Sequence, residues 1–333
     1  MTRLDRRLAS LRGKRNGCFD TDQYYVEQAA RARVGRRLRF HLRRDQPVML
    51  VAPRWSQAHR FLDDLSVDLG IGKPGIIARP LSLAPLAGRT VHQAWAWLVQ
   101  ALSEFGAVPL EGPAWQAVNS RGFRHVMGDH LRRIDDGTRR CLLMHGLEHA
   151  PMEAVTDLIQ VFEAHSVAMG NKRRFNLLLC GSVDSAHIDF DATERLLLPD
   201  FGDEEALDSL IEHLGPTESA TLREAIAIVG GVPAILDTLG GETLSVVREI
   251  VENRDSVWRL LGKLAAEIRG AIEIAIGDEA LALRLELLAS EGPQTDTHEV
   301  DDTLIRAGIA LRDPRTSSLQ VRAPMFSDLA LAS

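Results

Sequence analysis

Residues 47–59 read PVMLVAPRWSQAH, and the interpretation of the whole chain starts from this stretch. Its apolar part, Val48-Met-Leu-Val51, is short and bounded by turn formers, which is typical of a buried β-strand. Pro53 begins a turn, and the helical spacing of apolar residues resumes over 57–69. The stretch therefore predicts a strand, a loop and a helix, the unit from which α/β sheets are built.

The same unit recurs through the first two hundred residues or so. Apolar strands are predicted at 75–83, 139–145 and 174–182, and helices at 90–105, 113–134 and 151–167. Strands that alternate with helices are joined by right-handed crossovers into a mainly parallel sheet that is buried on both faces. We therefore predict an α/β core over 46–200, with helices on both faces of the sheet.

The pattern changes after residue 200, where helices follow one another without strands. The last part contains two helices and then two short strands around a turn, which indicates a winged helix. Four parts are predicted: a basic N-terminal arm and helix (1–45), the α/β core (46–200), a helical part (201–276) and a winged-helix-like domain (277–333).

Charge is unevenly distributed along this chain of 333 residues, whose net charge is -7. Residues 1–44 contain 13 Lys and Arg against 4 Asp and Glu, whereas residues 201–333 contain 11 against 24. Three interpretations of the basic arm stay open. It is a solvated charged surface, it contacts an acidic surface such as the chain's own C-terminal half, or it contacts nucleic acid phosphates. No apolar run is long enough for a membrane span and no secretory signal is evident, so we expect a cytoplasmic protein without membrane contact.

The loop after the first strand is where such a sheet would hold a phosphate, through backbone N–H groups at a helix N-terminus. The P-loop pattern G-x-x-x-x-G-K-[ST] needs glycines for close backbone approach, a lysine for the phosphates and a hydroxyl for magnesium. Ala52 and Gln57 stand at the glycine positions, Ala58 at the lysine and His59 at the hydroxyl. All four positions of the pattern are therefore changed.

The chain nevertheless resembles the AAA-like, STAND-type P-loop ATPases, whose loop often reads A/G-P-R-x-S-G-K-S/T. The resemblance rests on motifs that occur in the family's order: Tyr24-Tyr-Val26, Val48-Met-Leu-Val51, Ala52-Pro53-Arg54, Ser56, Leu177-Leu-Leu-Cys-Gly-Ser182, Leu196-Leu-Leu-Pro-Asp-Phe201, Asp203-Glu-Glu205, Val229-Gly-Gly-Val-Pro233 and Arg322-Ala-Pro-Met-Phe326. The resemblance implies a P-loop NTPase-like core, a helical lid over 201–276 and a C-terminal winged helix.

The resemblance also implies where nucleotide chemistry would take place. The family's second motif is an apolar strand that ends in Asp-Glu, whereas the corresponding strand here ends in His145 and Gly146. Loss of the lysine, the hydroxyl and both acids removes the groups that neutralise charge in phosphoryl transfer. We therefore expect no catalysis and no cofactor at a degenerate nucleotide site, which consists of Ala52, Arg54, Gln57, Ala58, His59, His145 and Gly146.

Relatives of this type are switches and scaffolds in signalling, transcription or defence. The resemblance therefore implies a regulatory or scaffolding subunit, of the bacterial signalling or defence kind, that acts through a protein partner. The candidate partner-binding residues are acidic and lie on the first lid helix: Asp203, Glu204, Glu205, Asp208 and Glu212. We expect them either to be neutralised by the basic arm or to meet a basic partner.

One alternative is a nucleic-acid-binding regulator that uses the basic arm and the winged helix. Its candidate residues are Arg312, Arg315 and Arg322. The acidic C-terminal half argues against extended phosphate contact, and no basic stripe with interleaved aromatic residues is evident.

A second alternative is a zinc hydrolase, because residues 145–149 match the H-x-x-E-H pattern. That pattern must lie within a helix, whereas Gly146 and Pro151 interrupt this segment. Cys141 and Cys180 lie in apolar runs and are predicted to be reduced core residues, and no Cys/His cluster has zinc-site spacing. We therefore expect no metal site.

Overall fold

The computed structural model describes residues 30–71, 75–103, 119–169, 175–182, 190, 192, 194–215, 218–312 and 318–332. The basic arm up to residue 29, with Tyr24-Tyr-Val26, and the wing residue Arg315 lie outside the described residues. Within the ranges just given, no helix is long and apolar enough to cross a membrane.

Five parallel strands form the central sheet: β1 (Val48–Val51), β2 (Ile77–Ser82), β3 (Arg140–His145), β4 (Phe175–Gly181) and β5 (Glu194–Leu197). Their spatial order is β2-β3-β4-β1-β5. Leu50 of β1 lies opposite Cys180 on one side and Leu196 on the other. The predicted parallel α/β sheet is confirmed. β5 was not predicted, because this edge strand begins with two charged residues rather than an apolar run.

Helices cover both faces of the sheet. One face packs against α1 (Ala30–Leu42) and α2 (Ala58–Ile71), and the other against α3 (Val91–Ser103), α4 (Ser120–Ile134) and α5 (Met152–Ala168). Successive strand residues alternate between the two cores: Leu50 and Cys180 belong to the first, Met49 and Leu179 to the second. Because both faces are buried, these strands read as continuous apolar runs.

Side chains at two helix starts hold the ends in place. The Thr90 hydroxyl accepts a hydrogen bond from the Gln93 N–H, and the Gln93 side chain accepts one from the Thr90 N–H at 3.0 Å. This reciprocal pair is a capping box, and it starts α3 at the predicted residue. The side chain of Asn119 caps α4 by accepting from the Gly122 N–H at 2.8 Å.

The second half of the chain is mainly helical. Its helices are α6 (Asp203–Leu214), α7 (Ser219–Val229), α8 (Pro233–Gly240), α9 (Leu244–Glu252), α10 (Ser256–Ile276), α11 (Glu279–Glu291), α12 (Asp301–Ala307) and α13 (Pro324–Ala332). One hydrophobic cluster extends from Ala206 to Phe326, so these helices share a core. The helix α10 is interrupted at Gly262, where φ is 50°.

Two short strands, β6 (Ala310–Arg312) and β7 (Leu319–Val321), pair antiparallel between α12 and α13, with Leu311 opposite Gln320. The two predicted strands are therefore present, and residues 313–317 between them lie outside the described ranges. The assignment as a winged helix stays a prediction, and so do the domain boundaries. α13 was not predicted from the sequence.

Candidate functional site

A cavity of about 690 Å³ lies at the carboxyl ends of β1, β3 and β4. Open α/β sheets bind their ligands at this edge. All seven residues of the predicted degenerate site line the cavity: Ala52, Arg54, Gln57, Ala58, His59, His145 and Gly146. The structure therefore brings the loop after β1 and the end of β3 together, as the sequence predicted.

The loop between β1 and α2, residues 52–57, has an unusual backbone. Trp55 and Gln57 have left-handed φ values of 61° and 52°, a conformation that costs a non-glycine residue about 1 kcal/mol or more. Gln57 stands where the P-loop pattern has its second glycine, the residue that adopts this conformation most easily. The loop therefore holds a glycine-like conformation without the glycine.

Three consecutive carbonyls of this loop accept hydrogen bonds from distant parts of the chain. The Arg54 carbonyl accepts from the guanidinium of Arg322, which follows β7. The Trp55 carbonyl accepts from the Ala234 N–H at the start of α8, at 3.1 Å. The Ser56 carbonyl accepts from the guanidinium of Arg31 on α1. Hydrogen bonds therefore connect the loop to three separate parts of the chain: α1, α8 and the C-terminal hairpin of β6 and β7.

Asp200 lies beside both guanidiniums. Nε and Nη2 of Arg322 each donate to one carboxylate oxygen of Asp200, at 2.6 Å, and the Arg322 side chain is fully buried. Arg31 donates to the Pro199 carbonyl at 2.7 Å. Burial lowers the pKa of Arg31 to about 10, and attraction to Asp200 opposes that shift, so its guanidinium remains charged at neutral pH. We call Arg31, Asp200 and Arg322 the arginine clamp.

Trp55 adds apolar packing between the loop and the C-terminal part. Its ring meets the Phe326 ring edge-on, with centroids 6.0 Å apart. Gly308 lies so close that a Cβ there would be 3.1 Å from the Trp55 ring. In addition, Arg60 on α2 forms an ion pair with Asp237 on α8. The Trp55 packing thus holds the loop against the C-terminal part, and the Arg60–Asp237 pair holds α2 against α8.

The end of β3 departs from the helix that a zinc hydrolase would need. The strand ends at His145, and the chain turns at Gly146, whose φ is 78°. Leu147–His149 form one 3₁₀ turn, so the H-x-x-E-H residues do not share an α-helix. In the part of the chain that the structure describes, no three His, Cys, Asp or Glu side chains are arranged to hold a metal ion.

Two imidazoles line the cavity near each other. The rings of His59 and His145 have centroids 6.3 Å apart. Burial lowers the pKa of His145, and the nearby His59 lowers it further, so His145 is neutral at pH 7. The Glu148 carboxylate accepts a hydrogen bond from the Ser182 N–H at 3.2 Å, which ties it to the end of β4.

The residues present do not fit a magnesium nucleotide. Ala58 offers no ammonium group and His59 no hydroxyl. Magnesium prefers oxygen ligands, whereas β3 ends in His145 and Gly146. The carboxylates of Asp63 and Glu148 also line the cavity, and that of Glu148 accepts a hydrogen bond from the Ser182 N–H. We therefore assign no step of phosphoryl transfer to these side chains.

The acidic residues of α6 do not form one exposed surface. Glu205 is buried, its carboxylate accepts hydrogen bonds from backbone N–H groups at the start of α1, and burial raises its pKa. Glu204 pairs with Arg223 on α7 at 2.7 Å. Exposed on this helix are Asp203, Asp208 and Glu212. Glu205 therefore faces the chain's own first helix and not the surface, and partner binding by the exposed acidic residues stays a prediction.

Two of the arginines named for the nucleic-acid alternative, Arg312 and Arg322, make contacts inside the chain. Arg322 belongs to the arginine clamp, and its side chain is fully buried, so it is not available to a nucleic acid. Arg312 donates to the buried Asp301 at 2.8 Å, and Arg284 pairs with the same carboxylate at 2.9 Å. Ion pairing thus removes Arg312 from the set of uncompensated charges.

Sequence reasoning missed the arginine clamp and the position of Trp55. In the sequence Asp200 is only one residue of the motif Leu196-Leu-Leu-Pro-Asp-Phe201, with no role assigned to it. Arg322 lies 122 positions from Asp200 and 268 from Arg54, so no local spacing relates them. The one available signal was Asp200, which follows the apolar run 196–198 after Pro199, at the edge of the sheet where ligands and loops meet.

Solved structures show what this fold is similar to. A Walker-type ATPase from Pyrococcus abyssi is 13% identical and has a TM-score of 0.57; the match covers 90% of this chain and 95% of that one. Cdc6p from Pyrobaculum aerophilum is 14% identical with a TM-score of 0.50, over 91% and 92% of the two chains. A STAND protein with a tetratricopeptide repeat sensor from Pyrococcus horikoshii is 11% identical with a TM-score of 0.43, over 89% and 41%.

No protein-family profile matches the sequence, and no curated protein is similar to it in sequence. At identities this low, the first two likenesses establish the fold and nothing further. The AAA-like P-loop ATPase fold is therefore confirmed.

Proposed function

We propose that this chain, which has the fold of the AAA-like P-loop ATPases, does not hydrolyse nucleotide and acts as a regulatory or scaffolding subunit that binds a protein partner. The observation that carries the proposal is the loop after β1, whose carbonyls accept hydrogen bonds from Arg322, Ala234 and Arg31. Phosphate-binding loops direct backbone N–H groups at the phosphates. In this loop the Ser56 N–H donates to the Pro53 carbonyl at 3.2 Å, and the carbonyls are held by the chain's own donors, which supports a structural role instead.

The arginine clamp supports a scaffold in particular. The family resemblance implies that nucleotide sets the angle between the sheet domain and the lid in active relatives. In this chain the pair of Arg60 with Asp237 joins the core to the lid, and the pair of Arg322 with Asp200 and the Trp55 packing join the core to the C-terminal part. None of these contacts requires a ligand. A subunit joined in this way presents one constant surface to its partner.

We place the partner surface on the exposed side of α6, which carries Asp203, Asp208 and Glu212. A basic partner would be attracted to this side of the lid by charge, and salt would weaken the association. We leave Glu204 out of this surface because both of its carboxylate oxygens pair with Arg223. We leave Glu205 out because it is buried.

The absence of nucleotide chemistry is tested by calorimetry with Mg-ATP and by a phosphate-release assay. We expect neither magnesium-dependent binding in the micromolar range nor turnover above a buffer blank. Micromolar affinity with turnover, both abolished by Arg54→Ala or His59→Ala, would contradict the proposal.

The partner surface is tested by charge reversal on α6. Immobilised wild-type protein is compared with Asp208→Lys/Glu212→Lys for the proteins that it retains from a native lysate. The matched control is Glu273→Lys/Glu286→Lys, which reverses two exposed charges on α10 and α11. We expect the α6 variant alone to lose its partner, with an unchanged melting temperature because exposed charges contribute about 1 kcal/mol or less. Equal retention by both variants would exclude α6 from the interface.

A further inference from the structure

The helix α1 carries a basic ridge on the side that faces away from the sheet. Its inner stripe consists of Val34, Leu38 and Leu42, which are buried in the core against β1 and α2. At about 100° per residue, the positions opposite that stripe are 36, 40 and 43. We define the α1 ridge as Arg36 and Phe40 of the helix together with Arg43 and Arg44 of the turn that follows it, where the Arg43 N–H still donates to the Arg39 carbonyl.

The ridge carries positive charge that is not compensated by the described residues. Neighbouring carboxylates are already paired: Glu194 with Arg37 and His41, Asp68 with Arg39, and Asp45 with Arg139. Across the part of the chain that the structure describes, Arg36, Arg43 and Arg44 form no ion pair. Three guanidiniums are therefore available to an anion.

Phe40 places an aromatic ring in the middle of these charges. It is 48% exposed, which is unusual for a large apolar side chain beside a well-packed core. The Arg44 guanidinium lies 3.8 Å from the centre of the Phe40 ring, and the His41 ring meets it edge-on at 5.2 Å. These contacts orient the ring at the surface: the Arg44 guanidinium lies on one face, and about half of the side chain stays exposed.

Cation, aromatic ring and cation thus follow one another along the ridge. Residues three or four positions apart on a helix lie about 5–6 Å apart. A nucleic acid strand presents the complementary alternation of phosphate and base. Arginine suits phosphate because its planar fork donates two hydrogen bonds at once, and an exposed phenyl ring stacks on any unpaired base. An acidic peptide would use the arginines but leave the ring without a role.

From this alternation we infer that the α1 ridge binds single-stranded nucleic acid. Arg36 and Arg43 hold the phosphates, and Phe40 stacks on a base beside Arg44. The strand is single because a base must be unpaired to reach the ring. The sequence before α1 has the same sign of charge, since residues 1–29 contain 6 Lys and Arg against 4 Asp and Glu. This inference is independent of the partner surface on α6.

The test is fluorescence anisotropy of the full chain with a labelled oligo(dT) and an oligo(U) of about 16 nucleotides. Affinity is measured at several salt concentrations between about 50 and 200 mM. Arg36→Gln/Arg43→Gln should reduce the slope of log affinity against log salt by about 1.4, or about 0.7 for each lost phosphate contact. Phe40→Ala should weaken binding about tenfold at an unchanged slope, because stacking is not a charge effect.

Two control variants remove matched groups elsewhere. Arg254→Gln removes an exposed guanidinium near α10, and Ile274→Ala removes an apolar side chain that is 77% exposed. Both should bind the oligonucleotide as the wild type does, and all four variants should keep the wild-type melting temperature.

Four results would overturn the inference. They are absence of saturable binding by the wild type, wild-type affinity in Phe40→Ala, competition by polyglutamate as strong as by unlabelled oligonucleotide at equal charge, and tighter binding to anionic phospholipid vesicles. The third would assign the ridge to an acidic polypeptide and the fourth to a membrane surface. Each leaves the tests of nucleotide turnover and of α6 untouched.

Discussion

Replacing the buried Arg322 with methionine should destabilise the protein by about 3–5 kcal/mol. The Arg322 guanidinium donates to both oxygens of Asp200 at 2.6 Å and to the Arg54 carbonyl. Methionine keeps much of the apolar stem but none of the donors. The Asp200 carboxylate, which is 12% exposed, and the loop carbonyl would then lose their partner.

The magnitude of the expected loss follows from two lost interactions and one contact that offsets part of them. Opposite charges about 4 Å apart attract by about 4 kcal/mol at the effective dielectric constant of about 20 that suits such sites. A buried carbonyl without its donor adds about 1–3 kcal/mol. Arg31 offsets part of this loss, since it lies close enough to Asp200 for the two charges to attract. The expected net loss therefore lies in the range for breaking a buried ion pair.

The assay is urea unfolding followed by tryptophan fluorescence, arranged as a double-mutant cycle with Asp200→Asn. The double variant should be more stable than the sum of the single losses predicts, with a coupling energy of about 1–3 kcal/mol. Arg254→Met is the matched control, because its pair with Asp328 at 3.4 Å is exposed on both sides and should contribute at most about 1 kcal/mol. A loss below about 1 kcal/mol for Arg322→Met, or no coupling, would refute the clamp as a stabilising contact.

Three further predictions follow from single residues. Gly308→Ala should cost about 2–4 kcal/mol, because it combines a φ of 81° with a Cβ 3.0 Å from that of Arg54. Gly88→Ala, with a φ of 72° and nothing within 4 Å, should cost about 1–2 kcal/mol, and equal losses on thermal unfolding would mean that the close contact is unimportant. Burial raises the pKa of Glu205, so the stability that this residue contributes is present below its ordinary pKa of 4.5 and is lost as pH rises through the raised value. Glu205→Gln should abolish this fall in the free energy of unfolding with rising pH. A variant whose unfolding free energy has the same pH profile as the wild type would contradict the reasoning. Cys18→Ser leaves Cys141 and Cys180 as the only thiols of the sequence. Both should react with a thiol reagent at about pH 8 only after denaturation, because burial raises the pKa of both thiols and blocks access. Rapid reaction of the native protein would show that the sheet opens.

Local patterns were sufficient for the central sheet. The strands β1, β3 and β4 lie within the predicted ranges because each is a short apolar run, as burial on both faces demands. The edge strand β2 also lies within its predicted range, although only Leu81 of it is buried. The other edge strand, β5, escaped prediction because it begins with two charged residues. The positions of the candidate site were also predictable, since the P-loop pattern has a fixed length even where its chemistry is changed.

The α1 ridge shows what the periodicity of a sequence does not predict. The spacing of Arg36, Phe40 and Arg43 was visible in the sequence, yet no basic stripe with interleaved aromatic residues was recognised. A period of 3.6 residues states which side chains share a face, but it does not state which face packs on the sheet. That was decided by the burial of Leu38 and Leu42 against β1 and α2, which left Phe40 outside.

The sequence by itself determined the parallel sheet, the helical second half and the set of residues at the end of β1, because each depends on neighbours within a few positions. Only the tertiary structure decided what those residues contact. The Arg322 guanidinium reaches Asp200 across 122 positions and the Arg54 carbonyl across 268. The free energy of such a pair depends on the distance and on the exclusion of water, and both exist only after the sheet, the lid and the hairpin have packed together.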